Sequence, residues 1–255
     1  MGVRAEVVAK LSSFYGDHRI HVGDDFACPH RSKCEAFSQP RPLVKGMEAH
    51  VGSFYGEGRR IVVVSLDAGA SSEALEARTH TIEPITPKNA GNAHMYGTAV
   101  FLQRLINAEN PPELPMAHVA VLNSAKCGGD DKTMNTVPWP IHYQCREYLF
   151  GEIRILRPDL VWLQGSRVRD VISDHLTAFD PTEIVSAWLT SVNPQSERLA
   201  SLVAPIAQEY LRLMSDGERQ MVAILTPHPS DRYGRWGLFQ RSVMPLLADL
   251  AAVLT

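Results

Sequence analysis

The chain has 255 residues, of which 45% are hydrophobic and 21% charged, with a formal net charge of −3. That length suits one large α/β domain or two small ones, and the composition is that of an ordinary globular protein. The charge gives no global signal for nucleic acid, although a local basic face does not depend on the sum. The N-terminal residues lack the apolar core of a signal peptide, and no run reaches the roughly 20 apolar residues of a membrane span. A cytoplasmic protein is therefore expected, with no membrane partner.

Residues 1–20 carry a weak helical pattern. A polar loop over 24–42 follows, with Cys28 and Cys34 in it and Pro40 and Pro42 near its end. Arg60–Leu66 is a short apolar, β-branched run of the kind that forms a parallel strand buried on both faces. It ends at Asp67, Ala68 and Gly69. Residues 77–95, with Pro84, Pro87 and Gly91, read as a loop, and 96–106 as a helix. A second strand spans 118–124. Residues 128–140 are a loop rich in Gly, Asp, Asn and Pro, and a helix from about 142 to 156 follows. Asp159–Gly165 is a third strand, and Gln220–Leu225 a fourth that runs into Thr226-Pro227-His228-Pro229-Ser230. Between these two, 177–219 reads as a helical insertion. A closing helix is expected over about 239–253. Strands alternating with helices predict a three-layer α/β/α domain around a central four-stranded parallel sheet.

In such sheets ligands bind beyond the carboxyl ends of the strands. Here those ends carry Asp67, Asn123, Gly165 and His228. Each has a plain structural reading: Asp67 as a cap or turn residue, Asn123 as a turn residue, His228 as a loop histidine held between prolines. A carboxylate, an amide and an imidazole on one rim also suit chemistry: stabilising a cation, reading a heterocycle edge and stabilising a leaving anion. The four cysteines are spaced x5 (Cys28, Cys34) and x17 (Cys127, Cys145), wider than the tight knuckles of structural zinc sites. Iron–sulfur, zinc and four independent thiols all remain open on spacing alone, and disulfides are disfavoured in a reducing compartment.

Four segments together resemble the uracil-DNA glycosylase superfamily, in particular its iron–sulfur-containing, family 4-like branch, of which this chain would be a divergent member. Val63–Gly69 is similar to the water-activating motif. Asn123-Ser124-Ala125-Lys126-Cys127 resembles the branch's Asn-x-x-Lys-Cys. Cys145-Arg146-Glu147-Tyr148-Leu149 with 155–165 resembles the second ligand, helix and strand. His228-Pro229-Ser230 matches the catalytic His-Pro-Ser motif. The likeness covers about 24–245. Leu66 stands where the family usually carries Gln or Glu, Ala68 where Pro is usual, and Met95 and Tyr96 occupy the region of a stacking Phe.

The resemblance implies a DNA glycosylase that flips a base from single- or double-stranded DNA and hydrolyses its N-glycosidic bond. Asp67 and His228 would be catalytic. Asn123, Tyr96, Met95, Gly69 and Ser230 would hold the base, with Phe101 as the alternative stacking ring. Arg232, Tyr233 and Arg235 would contact DNA. Cys28, Cys34, Cys127 and Cys145 would ligate a 4Fe-4S cluster, with zinc as the alternative. The expected form is a monomer. Uracil is the default base; the alternatives are a bulky modified cytosine removed in antiphage defence, a non-catalytic DNA-binding or damage-sensing relative, and a small-molecule hydrolase or electron carrier on a similar sheet.

Overall fold

The computed structural model describes residues 2–21, 27–38, 43–66, 73–129, 137–178, 197–231 and 234–253. Its centre is four parallel strands: β3 (Ile61–Ser65), β4 (Val119–Asn123), β6 (Leu160–Gln164) and β9 (Gln220–Thr226), in the order β4-β3-β6-β9. β3, β4 and β6 are buried at every position, and β9 at all but its first residue. Such β-branched runs need cover on both faces. Alternation along each strand supplies two cores. Val62, Val64, Leu122 and Leu163 pack with Leu11, Leu149 and Ile153 on one face. Ile61, Val63, Val121 and Trp162 pack with Phe101, Phe239 and Leu247 on the other.

The sheet is larger than the sequence predicts. It has seven strands and is mixed. The short β2 (His50–Val51) pairs antiparallel with β4, and β8 (Leu211–Ser215) pairs antiparallel with β9, followed outward by β7 (Leu176–Ala178). The expected four-stranded parallel sheet is thus only the middle of the structure. Its added strands come partly from the segment expected to be a helical insertion. Among the described residues, that segment holds helix Glu197–Tyr210 together with β8 and most of β7. β8 is buried at Leu211 and Met214, three residues apart, so it does not alternate and does not stand out from a helical pattern.

Three other local differences matter. Residues Leu75–Ile82 form a helix where a loop was expected, and Ala93–Ile106 starts earlier than its predicted helix, capped by Asn92 Oδ1 accepting from Met95 N at 2.9 Å. The helix expected from about 142 is two helices, Trp139–Gln144 and Arg146–Leu156, with Cys145 at the joint. A separate two-stranded sheet pairs β1 (Leu43–Gly46) with β5 (Cys127–Gly129), placing Gly46 opposite Cys127.

The parallel connections diverge between β3 and β6, since the chain passes from β3 to β4 on one side and from β6 towards β9 on the other. That divergence is where open α/β sheets bind ligands. No helix among the described residues is long and apolar enough to cross a membrane.

Candidate functional site

The carboxyl ends of the parallel strands line up side by side. Ser65 of β3 is in register with Asn123 of β4. Ser65 Oγ donates to Gln164 Oε1 at 2.6 Å, which bridges the divergence between β3 and β6. A cavity of about 320 Å³ opens above these ends, lined by Ser65, Asn123, Arg78, Glu73, His94 and Met95 among others. That volume falls within the usual range for a small-ligand site.

Asn123 is buried, and its Oδ1 accepts from Arg78 Nη2. Arg78 is also buried, and its Nη1 donates to Glu48 O at 2.9 Å. Burial draws its guanidinium down to about 10, so it stays charged at neutral pH. Its Nε has no partner among the described residues.

His94 and His228 stack with ring centroids 4.6 Å apart and 26° between planes. Hydrogen bonds fix both tautomers. His94 Nε2 donates to Gln164 Oε1 at 2.8 Å, because Gln164 Nε2 donates to Thr98 Oγ1. His228 Nδ1 accepts from Ser230 N at 3.2 Å and faces Ser230 Oγ at 2.8 Å, so the proton of neutral His228 sits on Nε2. Burial, then the charge of His94, lowers His228 to about 4, against the pull of Asp231. Burial also lowers His94, partly opposed by its bond to Gln164. At neutral pH the pair is uncharged.

Two glycines allow this loop to sit so close. Gly165 has φ +92°, and a Cβ there would lie 3.3 Å from His228 Cβ. A Cβ on Gly97 would meet Pro229 Cβ at 2.9 Å and the Trp236 ring at 2.8 Å. The other side of His228 lines a larger hollow of about 610 Å³ with Ser166, Arg169, Tyr210, Asp231 and Arg235.

The sequence-expected residues therefore divide. Asn123 and Met95 line the first cavity and His228 the second, joined through the His94–His228 stack. Tyr96 is 45% exposed and lines neither, because the Asn92 cap turns it outward on the first turn of its helix. Phe101, the alternative stacking ring, is fully buried against Trp162 and Phe239 in the core. Ser230 is exposed beside His228, and Arg235 pairs with Asp231 at 3.0 Å. Asp67, Gly69, Arg232 and Tyr233 lie outside the described residues. Sequence reasoning missed Arg78, Gln164 and Glu73. Gln164 carried a usable signal, a polar residue ending an apolar strand.

The four cysteines come to one small cavity, which His30, Arg31 and Lys126 also line. Cys34 sits on helix Arg31–Ser38, Cys127 opens β5, and Cys145 is the joint between two helices. None is in a disulfide. Cys145 is held below the usual thiol range by a hydrogen bond from the Cys127 thiol, and Cys127 is correspondingly raised by that bond. Lys126 N donates to Cys145 Sγ at 3.2 Å. Burial raises Cys28, and lifts Cys34 to about 12 with help from Cys145 and Cys28. Among the described residues, no three His, Cys, Asp or Glu side chains close on a point that would hold one metal ion.

Beneath the thiols lies a buried charge pair. Lys126 Nζ bonds Glu152 Oε2, and Glu152 Oε1 accepts from Tyr15 OH at 2.8 Å. Burial pushes both groups toward their neutral forms, and their mutual attraction opposes it. No protein-family model matches the sequence, and no curated protein is similar to it.

Proposed function

We propose that the protein is a DNA glycosylase that flips out uracil or another modified base and hydrolyses its N-glycosidic bond, leaving an abasic site. The observation that carries this reading is a pair of neighbouring strand-end cavities, one lined by the buried amide of Asn123 and the other by a neutral, tautomer-fixed His228, linked by the His94–His228 stack.

The reaction asks three things of a protein. The C1′–N bond breaks with its electron pair going to the base, which leaves an oxocarbenium-like sugar. Asp67 balances that positive charge and orients water. His228 Nε2–H hydrogen-bonds the base oxygen on which negative charge grows, and a neutral imidazole does so without surrendering its proton. Water adds to C1′, and its proton ends on the departed base. Asn123 holds the base edge and Met95 lines the wall. Ser230, Arg232 and Arg235 lie near phosphates, and Tyr233 fills the gap left in the stack.

The four thiols support a 4Fe-4S cluster as the resident group. The support is that all four thiols line one cavity and none is in a disulfide; zinc is the alternative group for the same residues. When bound, the cluster is structural and pins the 27–38 segment to Cys127 and Cys145.

The test is release of free base, and formation of abasic sites, from oligonucleotides carrying uracil or modified bases. Asp67→Asn should abolish most of the release while leaving DNA binding in place. An unchanged rate would remove Asp67 from the mechanism. Binding without release on every substrate would select a non-catalytic damage sensor instead.

A further inference from the structure

Arg78 is the buried charged side chain that lines the Asn123 cavity, and the glycosidic chemistry does not use it. An asparagine amide reads two ways, since its oxygen accepts and its nitrogen donates, and a half-turn exchanges them. A guanidinium has donors only. Against Arg78 Nη2, only Oδ1 of Asn123 can face the guanidinium, and this leaves the Nδ2 hydrogens for the cavity. Arg78 cannot swing aside easily. It is 4% exposed and tied by Nη1 to Glu48 O, while Glu48 Oε2 accepts from Leu75 N at 2.9 Å at the start of Arg78's own helix. The Nε–H of a guanidinium points along the same edge as one Nη, and here it has no partner among the described residues.

The opposite polarity lies elsewhere in the cavity. Glu73 lines it with a carboxylate, and His94, with its proton on Nε2, keeps Nδ1 as an acceptor. A carboxylate is a natural partner for the exocyclic amino group of cytosine.

We propose that Arg78 is a specificity-determining residue: by holding Asn123 Oδ1 it makes the cavity a donor face with an acceptor beside it, fitted to the O2, N3 and N4-amino edge of a cytosine-type base rather than to the alternating edge of uracil. On uracil the N3–H would meet N–H donors, and an unpaired polar group in a buried site weakens binding. The inference rests on the glycosylase reading and names its substrate class.

The experiment uses two matched pairs of oligonucleotides, cytosine against uracil and 5-hydroxymethylcytosine against 5-hydroxymethyluracil, so that within a pair only the base edge changes. The wild-type protein should release the cytosine member of whichever pair it cleaves at least about tenfold faster than the uracil member, the size of one good edge contact. Arg78→Met frees the amide to turn and should cut that ratio by a similar factor. Asn123→Asp keeps a partner for Arg78 and replaces the donor by an acceptor, so it should lower the ratio even if Arg78→Met folds poorly. Faster release of the uracil member, or an unchanged ratio in both folded variants, would overturn the assignment while leaving a glycosylase. Release from none of the four substrates would overturn this inference; release from none of them and from no other modified base would overturn the glycosylase reading itself.

Discussion

The thiol cavity and the Asn123 cavity are joined by one short segment, since Asn123 ends β4 and Cys127 opens β5. They are built differently. Around Asn123 oxygen and nitrogen groups are bonded to one another: Gln164 serves Ser65, His94 and Thr98 at once, and Arg78 donates to Asn123 and Glu48, with its Nε left over. Around the thiols the bonds are sulfur's: Cys145 Sγ accepts from the Cys127 thiol and from Lys126 N, and the Cys28 thiol faces Tyr148 OH. Burial and neighbouring sulfurs raise three of the four thiols above the usual range, while the fourth, Cys145, is lowered by its bond from Cys127. A region complete in itself can present fixed donors to a ligand. The thiol cavity, which Arg31 and Lys126 also line, is where the proposed cluster would bind.

The sharpest way to break this comparison is to remove the support shared by both cavities. Glu152→Leu leaves the Lys126 ammonium buried and unpaired beneath the segment, and should cost about 3–5 kcal/mol of stability in urea denaturation. Adding Lys126→Met should recover most of it, because an apolar pair of similar volume avoids the desolvation of two charges. A single variant as stable as wild type would mean that the pair does not brace the segment.

The next effect concerns charge at His228, in the hollow beside the Asn123 cavity. His228 is held down at about 4, against an ordinary value of 6.5. The proposed mechanism requires its neutral form, so kcat/KM should hold as pH falls through 6.5 and drop only near 4. The same depressed value means that the unfolded chain takes up this proton first, and His228's contribution to stability is lost as pH falls from about 6.5 toward 4. An acid limb near 6.5 that disappears in His228→Gln would contradict the buried, neutral imidazole.

The smallest effect separates two neighbours on one helix. Tyr96→Ala should change stability and base release little, within about 0.5 kcal/mol, because the ring is exposed. Met95→Ala, in the cavity wall, should raise KM for the cleaved substrate. The reverse order would place the stacking surface on the outside of the helix.

How much of this was legible in the sequence follows from how local each cause is. The parallel strands were legible because Ile61–Ser65 and Val119–Asn123 are continuous β-branched or apolar runs, and the ends of Val119–Asn123 and Gln220–Thr226 pointed to Asn123 and His228 as candidates. Arg78 was hidden because Leu75–Ile82 is a short, largely polar helix with little apolar periodicity, followed by Pro84 and Pro87 that read as loop. Spacing alone could only suggest that the thiols converge, since convergence depends on the β1–β5 pairing and on the break at Cys145, and both are long-range outcomes. The Lys126–Glu152–Tyr15 chain gave no sequence signal at all: its partners lie 26 and 137 residues apart.

One segment serves both cavities, so on the proposed reading a cluster on the thiols would hold Asn123 in place for the base. The direct measurement is base release from modified oligonucleotides as iron is withdrawn stepwise from anaerobically purified protein with a chelator. The expected result is a visibly coloured protein whose release rate falls in proportion to its remaining iron. A colourless protein carrying one zinc, or a release rate that stays constant as iron reaches zero, would contradict this coupling.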